Sequence, residues 1–315
     1  MRRAAVIAVL FAIALACRGG GENIADKQHR QFPLPVVPTM VDDADAYVLD
    51  NYWNGFFKLK GVTDTAFIAG IRDDEVEEAL AVFLRLADAA PKDKGQAAVA
   101  RMFSLLEQAQ AEDTSSLLYL RMTELVSKYL YDPNSPMRDE DLYLPFVSGM
   151  AASPFTRDEV RPGYMFEERM CRLNRYGTPA TDFSFKDAKG HVRDLYDIKA
   201  AHTVLFFSNP GCTACKEIIT DMTSRDYLEG CIASGEIAVV NIYIDREIEK
   251  WREYEPNYPR SWITGYDHKY IIRQNAIYNV RAIPSLYLLD ADKKVVMKDV
   301  PTEKVLRYLD NNYKQ

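Results

Sequence analysis

The sequence predicts an all-α helical domain followed by an α/β domain whose mixed central sheet is flanked by helices. Three observations carry this. Apolar residues between Asp42 and about Tyr176 recur at helical spacing, while after Gly177 short β-rich runs alternate with helical ones. The chain has 315 residues of which 48% are hydrophobic, enough to bury two cores rather than one. A formal net charge of −7, with no Lys/Arg stripe interleaved with aromatics, excludes nucleic-acid binding as a function class.

The chain opens with a positive segment, Arg2 and Arg3, then an apolar run from Ala4 to Ala16, then Cys17. The run is too short to span a bilayer and reads as an export signal. Ala14-Leu15-Ala16-Cys17 resembles a bacterial lipoprotein signal, which implies that residues 1–17 are the signal peptide region and that Cys17 carries the lipid. The usual motif places Leu first and a small residue second, and here that order is swapped. An ordinary signal peptide cleaved near Ala16, or an uncleaved anchor, is the alternative. Export puts Cys171, Cys212, Cys215 and Cys231 in a compartment where disulfides persist. The expected location is the cell envelope, facing the periplasm or the cell surface.

Residues 18–41 read as a linker, starting Arg18-Gly19-Gly20-Gly21 and containing Pro33, Pro35 and Pro38, with little to pack. The helical domain spans 42–175. Val76, Leu80, Phe83 and Ala87 mark one helix, and Val99, Met102, Phe103, Leu106 and Ala109 mark another. A third fits Thr114 to Leu130, with Thr114 as N-cap and Asp132-Pro133 as stop. Breaks at Pro91, at 132–136 and at Ser153-Pro154 imply five or six helices in a bundle. The aromatics Trp53, Phe56 and Phe57 are read as core.

The second domain spans 176–315. Strands are expected at His202 to Phe207, Ile237 to Ile244, Ser285 to Leu289 and Val295 to Lys298, with helices from about Cys212 and, capped by Thr302, through Val305, Leu306 and Leu309. Strands separated by helices pair in parallel, whereas the tight connection from Asp290 to Lys294 makes an antiparallel hairpin.

Between the first of these strands and its helix lies Asn209-Pro210-Gly211-Cys212-Thr213-Ala214-Cys215-Lys216, a C-x-x-C at a helix start. Free N–H groups and the positive end of the helix dipole favour a thiolate on Cys212, which makes it the attacking sulfur. Cys215, one turn on, lies on the same helix face and is placed to resolve a mixed disulfide.

These residues, with Gly177-Thr178-Pro179-Ala180-Thr181-Asp182-Phe183-Ser184-Phe185 before them and Tyr278-Asn279-Val280-Arg281-Ala282-Ile283-Pro284-Ser285 after, resemble the thioredoxin superfamily, specifically its TlpA/ResA-like branch of envelope oxidoreductases. The resemblance covers about 176–315 and rests on three matches in the correct order. It implies a thioredoxin-like fold, a hairpin at the start of the domain, a cis bond at Pro284, and a substrate segment aligned by the backbone at Ile283 and bounded by Thr213 and Ala214. It further implies disulfide-containing envelope proteins as substrates, an upstream thiol electron donor, net reduction, and no cofactor. The helical region, through Tyr47 to Trp53 and Tyr131 to Arg138, resembles an uncharacterised domain found ahead of thioredoxin-like domains in bacterial lipoproteins.

The chain departs from the family pattern in three places, one of them the Thr213-Ala214 dipeptide between the cysteines, which is unlike Gly-Pro or Pro-Pro and leaves the reduction potential open. Thioredoxins carry a buried acid in the strand before the cysteines, where this chain has Phe206, and an aromatic residue before the first cysteine, where it has Gly211. Glu217 is read as a solvated helix-face residue, with proton transfer to Cys215 as the alternative. A metal site is not expected, since Cys171, Cys231 and scattered histidines lack ligand spacing. Cys171 and Cys231 are read as free thiols, with a second disulfide as the alternative. The aromatics of the insert from Asp245 to Gly265 (Trp251, Tyr254, Tyr258, Trp262) are read as core, with a lip beside the cysteines as the alternative. A different class of function, a docking lipoprotein with a structural thioredoxin-like domain, is disfavoured by the retention of both cysteines.

Overall fold

The computed structural model describes residues 30–314; the signal segment, Cys17 and the start of the linker lie outside the described residues. Among those described, no helix is long and apolar enough to cross a membrane.

The first half holds six α-helices among its described residues: α1 (Ala44–Asn51), α2 (Asp73–Ala89), α3 (Lys92–Glu112), α4 (Leu118–Leu130), α5 (Glu140–Ala152) and α6 (Arg161–Cys171). Asp73, Asp74 and Glu75 fill the first turn of α2, where the helix dipole favours anions, and Val76, Leu80, Phe83 and Ala87 turn inward as the spacing predicts. Their partners include Val99, Met102 and Leu106 of α3 and Leu142, Phe146 and Met150 of α5. Gly149 lets α5 approach α3 closely, since a Cβ there would overlap the Phe103 ring. Pro145 interrupts the α5 ladder by removing an N–H. The Asp141 carbonyl one turn earlier receives the Gln96 amide instead, at 3.0 Å.

Three expectations for this half need correction. The third helix starts at Leu118, not Thr114: the Asp113 carboxylate accepts from Ser115 to close a turn, and Gln110 Oε1 takes up the Tyr119 N–H at 2.8 Å in place of a cap. The linker is not free of packing, because Phe32 stacks on Phe56 at 5.4 Å and its N–H reaches Glu75 Oε1 at 2.6 Å. A short antiparallel pair, β1 (Phe67–Ile68) and β2 (Ile71–Arg72), turns through Ala69 and Gly70, both at positive φ. Trp53, Phe56 and Phe57 are buried in the core.

The second half is a seven-stranded mixed sheet in the order β4-β3-β7-β6-β5-β8-β9. Its strands are β3 (Ser184–Lys186), β4 (Val192–Asp194), β5 (His202–Phe207), β6 (Ile237–Tyr243), β7 (Ile263–Tyr266), β8 (Ser285–Leu289) and β9 (Val295–Lys298). β5, β6 and β7 run parallel, and β8, β9, β3 and β4 pair antiparallel. Continuous apolar runs suit central strands because both faces are covered. Leu205 and Phe207 join Val240, Ile242 and Tyr287 on one face. Val204 and Phe206 join Val239, Leu286 and Leu288 on the other, beneath α7 (Thr213–Thr223), α8 (Asp226–Ser234) and α11 (Thr302–Tyr313). Two short helices, α9 (Ile248–Tyr254) and α10 (Ile271–Gln274), complete the set among the described residues.

The hairpin between β8 and β9 and the opening hairpin of β3 and β4 are both present. Two details differ from expectation. Thr302 is the first residue of α11 rather than its cap, since Pro301 at φ −53 and ψ 140 supplies the extended entry. The insert after β6 ends in β7, whose four residues carry too short an apolar pattern to stand out from the sequence.

Candidate active site

β5 ends at Phe207, whose register partners are Ile242 of β6 and Ser285 of β8. Past it the chain turns through Ser208 to Gly211 and enters α7. Gly211 has φ +75, a left-handed conformation open to glycine and costly for the aromatic residue that the family pattern would place there. Cys212 is the N-cap, with extended backbone, its N–H donating to the Asn209 carbonyl at 3.3 Å. Its Sγ accepts the Cys215 N–H at 3.1 Å, so the sulfur occupies the place where N-cap side chains satisfy the free donors of the first turn.

Cys212 and Cys215 are joined in a disulfide with Cα atoms 5.2 Å apart. Their surroundings differ. Cys212 is half-buried, whereas Cys215 is 2% exposed and belongs to the apolar cluster that includes Phe206, Ile218, Met222 and Trp262. Thr213, Ala214, Lys216 and Glu217 are exposed, so Glu217 sits on the solvated helix face rather than beneath the sulfurs. The Ile283–Pro284 bond is cis. Because Ser285 lies opposite Phe207, the register brings Pro284 and the turn leading into Cys212 to the same end of neighbouring strands. Ile283 packs against both apolar clusters of the sheet, including the one that contacts Cys212.

Two polar groupings beside the cysteines escape the sequence reading. Asn209 donates to Asp245 Oδ2 at 2.8 Å, and Arg273 Nε lies 2.7 Å from Asp245 Oδ1, so the turn before Cys212 is gripped from the loop after β6. On the buried side Ser208 donates to Asn241 Oδ1 at 2.6 Å and lies 3.3 Å from the Tyr258 hydroxyl. Burial raises the Tyr258 hydroxyl pKa while Ser208 and Asn241 pull it back. The one available signal is Asn241 itself, a polar residue inside the apolar run from Ile237 to Ile244. Trp251, Tyr258 and Trp262 are buried, which assigns them to the core rather than to a lip. Cys171 and Cys231 are free and buried, and burial pushes both thiols upward.

A crystallised thioredoxin-like protein from Bacteroides caccae is similar over both halves: 32% identity, 89% of this chain and 98% of that one, TM-score 0.76. The chain belongs to the thioredoxin-like proteins. Within this thioredoxin-like protein, residues 16–169 match a domain family described only as a domain of unknown function, DUF5106. The C-terminal domain of an uncharacterized protein from Bacteroides fragilis is 38% identical over 43% of this chain and 97% of its own length, TM-score 0.42. A conserved protein of unknown function from the same organism is 31% identical over 43% and 98%, TM-score 0.42. No curated protein matches. A cysteine pair at this helix start in a thioredoxin-like protein fits a redox role.

Proposed function

We propose that this protein is a thiol-disulfide oxidoreductase of the cell envelope, held to the membrane through a lipid on Cys17, and that it reduces disulfides of other envelope proteins. The observation that carries the reading is the asymmetry of the pair: one sulfur at a helix N terminus with access to solvent, the other enclosed one turn below.

In the reduced protein the Cys212 thiolate, favoured by the N-terminal N–H groups and the dipole of α7, attacks one sulfur of a substrate disulfide. That S–S bond breaks, a Cys212–substrate disulfide forms, and the first substrate sulfur leaves as a thiolate and takes a proton. Cys215 then loses its proton and attacks Cys212 Sγ. The Cys212–Cys215 disulfide closes and the second substrate thiol departs, so two electrons have passed from the pair to the substrate. The bonded pair described above is the oxidised end of this cycle, and a thiol donor of the envelope returns it to the dithiol. Ile283 and Pro284, at the same sheet end as Cys212, with Thr213 and Ala214, bound the surface on which the substrate segment lies.

The test is reduction of insulin disulfides by the full mature chain with dithiothreitol as donor. Turnover is expected for the wild type and its loss for Cys212→Ser. Equal rates in the two would set the oxidoreductase reading aside in favour of a docking lipoprotein.

A further inference from the structure

The seam between the helical half and the sheet holds a buried charge cluster that no step above uses. Glu140, the first residue of α5, has a fully buried side chain. Its Oε1 accepts the Asn279 side-chain amide at 2.7 Å and lies 3.2 Å from Arg281 Nε, and its Oε2 lies 3.0 Å from Lys298 Nζ. Arg281 Nη2 also donates to Asp299 Oδ2 at 2.6 Å, and its guanidinium carbon sits 4.4 Å above the Tyr131 ring. Lys298 donates further to the Cys171 and Leu173 carbonyls, at 2.6 and 2.8 Å, where α6 ends. Two carboxylates thus face two cations in a buried seam.

Asn279 and Arg281 belong to the irregular segment that ends at Pro284. That segment forms no strand ladder until Ser285, so its shape rests on side-chain anchors, and two of these close on one carboxylate from the helical half. Stability alone is a poor reason for such a cluster, because desolvating four charges offsets most of their attraction and apolar packing of equal volume does as well. What paired charges do add is a defined position.

We propose that the helical half is a clamp on the segment before Pro284, and that Glu140, with Tyr131, is its positioning residue for substrate docking. The inference rests on the oxidoreductase reading for its consequence, not for its geometry. Glu140 touches no reacting sulfur. It fixes Arg281 and Asn279, and through them the backbone at Ile283 along which a polypeptide disulfide lies. A small disulfide, which needs no extended docking surface, is indifferent to the clamp.

The test uses the full mature chain at pH 8 as wild type, Glu140→Gln and, in case the buried substitution impairs folding, Tyr131→Leu, whose ring is only half-buried. Hydrogen exchange is followed on peptides covering 278–287 and, as an internal reference, β5 and β6. Insulin and a small aromatic disulfide are compared as substrates. Exchange in 278–284 is expected to rise about tenfold with the reference strands unchanged, and KM for insulin to rise roughly fivefold to tenfold at constant kcat, the small substrate being unaffected. Unchanged exchange in a folded variant, or equal losses on both substrates, overturns the clamp. If the wild type turns over neither substrate, the oxidoreductase reading fails, and the exchange data alone decide whether Glu140 holds the segment.

Discussion

Cys212 and Cys215 are separated by one helical turn and by their access to solvent, and the residues around them explain the second difference. Phe206, fully buried, fills the space beneath α7 with an apolar ring and contacts Trp262 at a centroid distance of 6.2 Å. Phe206→Ala is expected to lower unfolding free energy by roughly 3–5 kcal/mol, measured by urea titration of the oxidised protein. Glu217→Ala, on the exposed face, is expected to shift it by less than about 0.5 kcal/mol and to leave turnover unchanged. Gly211→Ala tests the turn. Its Cβ would meet nothing within 4 Å, so the effect isolates the backbone at φ +75, and a loss of about 1 kcal/mol is expected in the same titration. Gly211 stood out only as a departure from the family pattern, whereas the cysteine pair and Pro284 were legible because each stands at a spacing with one dominant mechanical use. Asn209, Ser208 and Tyr258 were not, since common polar residues acquire meaning only from partners 33 to 50 positions away.

At the scale of elements, helices and strands with a long periodic pattern were readable and short ones were not. α2 and α3 show their buried faces directly in the spacing of Val76 to Ala87 and Val99 to Ala109. β1, β2 and β7 have two, two and four residues, so pairing partners rather than local pattern define them. Caps failed for a similar reason. Thr114 and Thr302 are good cap residues locally, yet Gln110 and Pro301 decide where α4 and α11 begin. At α5 the long-range partner is again decisive: Gln96 serves the Asp141 carbonyl at the Pro145 break. Gln96→Ala leaves that acceptor unpaired in a half-buried site, and a loss of about 1–2 kcal/mol in the urea midpoint analysis is expected.

For the whole molecule, the seam couples stability to pH in two directions. Asp139, the N-cap of α5, is pushed up by burial but pulled down more strongly by Lys92 and Lys304, to about 2. A carboxyl lowered on folding stabilises above its unfolded pKa near 3.8, and that contribution is lost as pH falls toward about 2. Glu140 goes the other way. Burial, aided by Asp299, raises it to about 7 against the pull of Lys298 and Arg281. Its folded form therefore keeps a proton that the unfolded chain has released, and stability falls as pH rises from about 4.5 to about 7. Unfolding free energy measured across that window is expected to decline in the wild type and to be flatter in Glu140→Gln; parallel curves would remove Glu140 as the source. None of this seam was visible in the sequence, because Glu140, Arg281, Lys298 and Asp299 are brought together only when α5 meets β9 and the segment before β8.

The proposed reaction depends on Cys212 being the sulfur that meets the substrate. The direct measurement is a single-turnover reaction of reduced Cys215→Ser with insulin, quenched in acid and mapped by peptide mass spectrometry. A mixed disulfide between insulin and Cys212 is the expected product, absent from Cys171 and Cys231. Recovery of Cys212 as a free thiol, with no adduct or with the adduct on another cysteine, would contradict it.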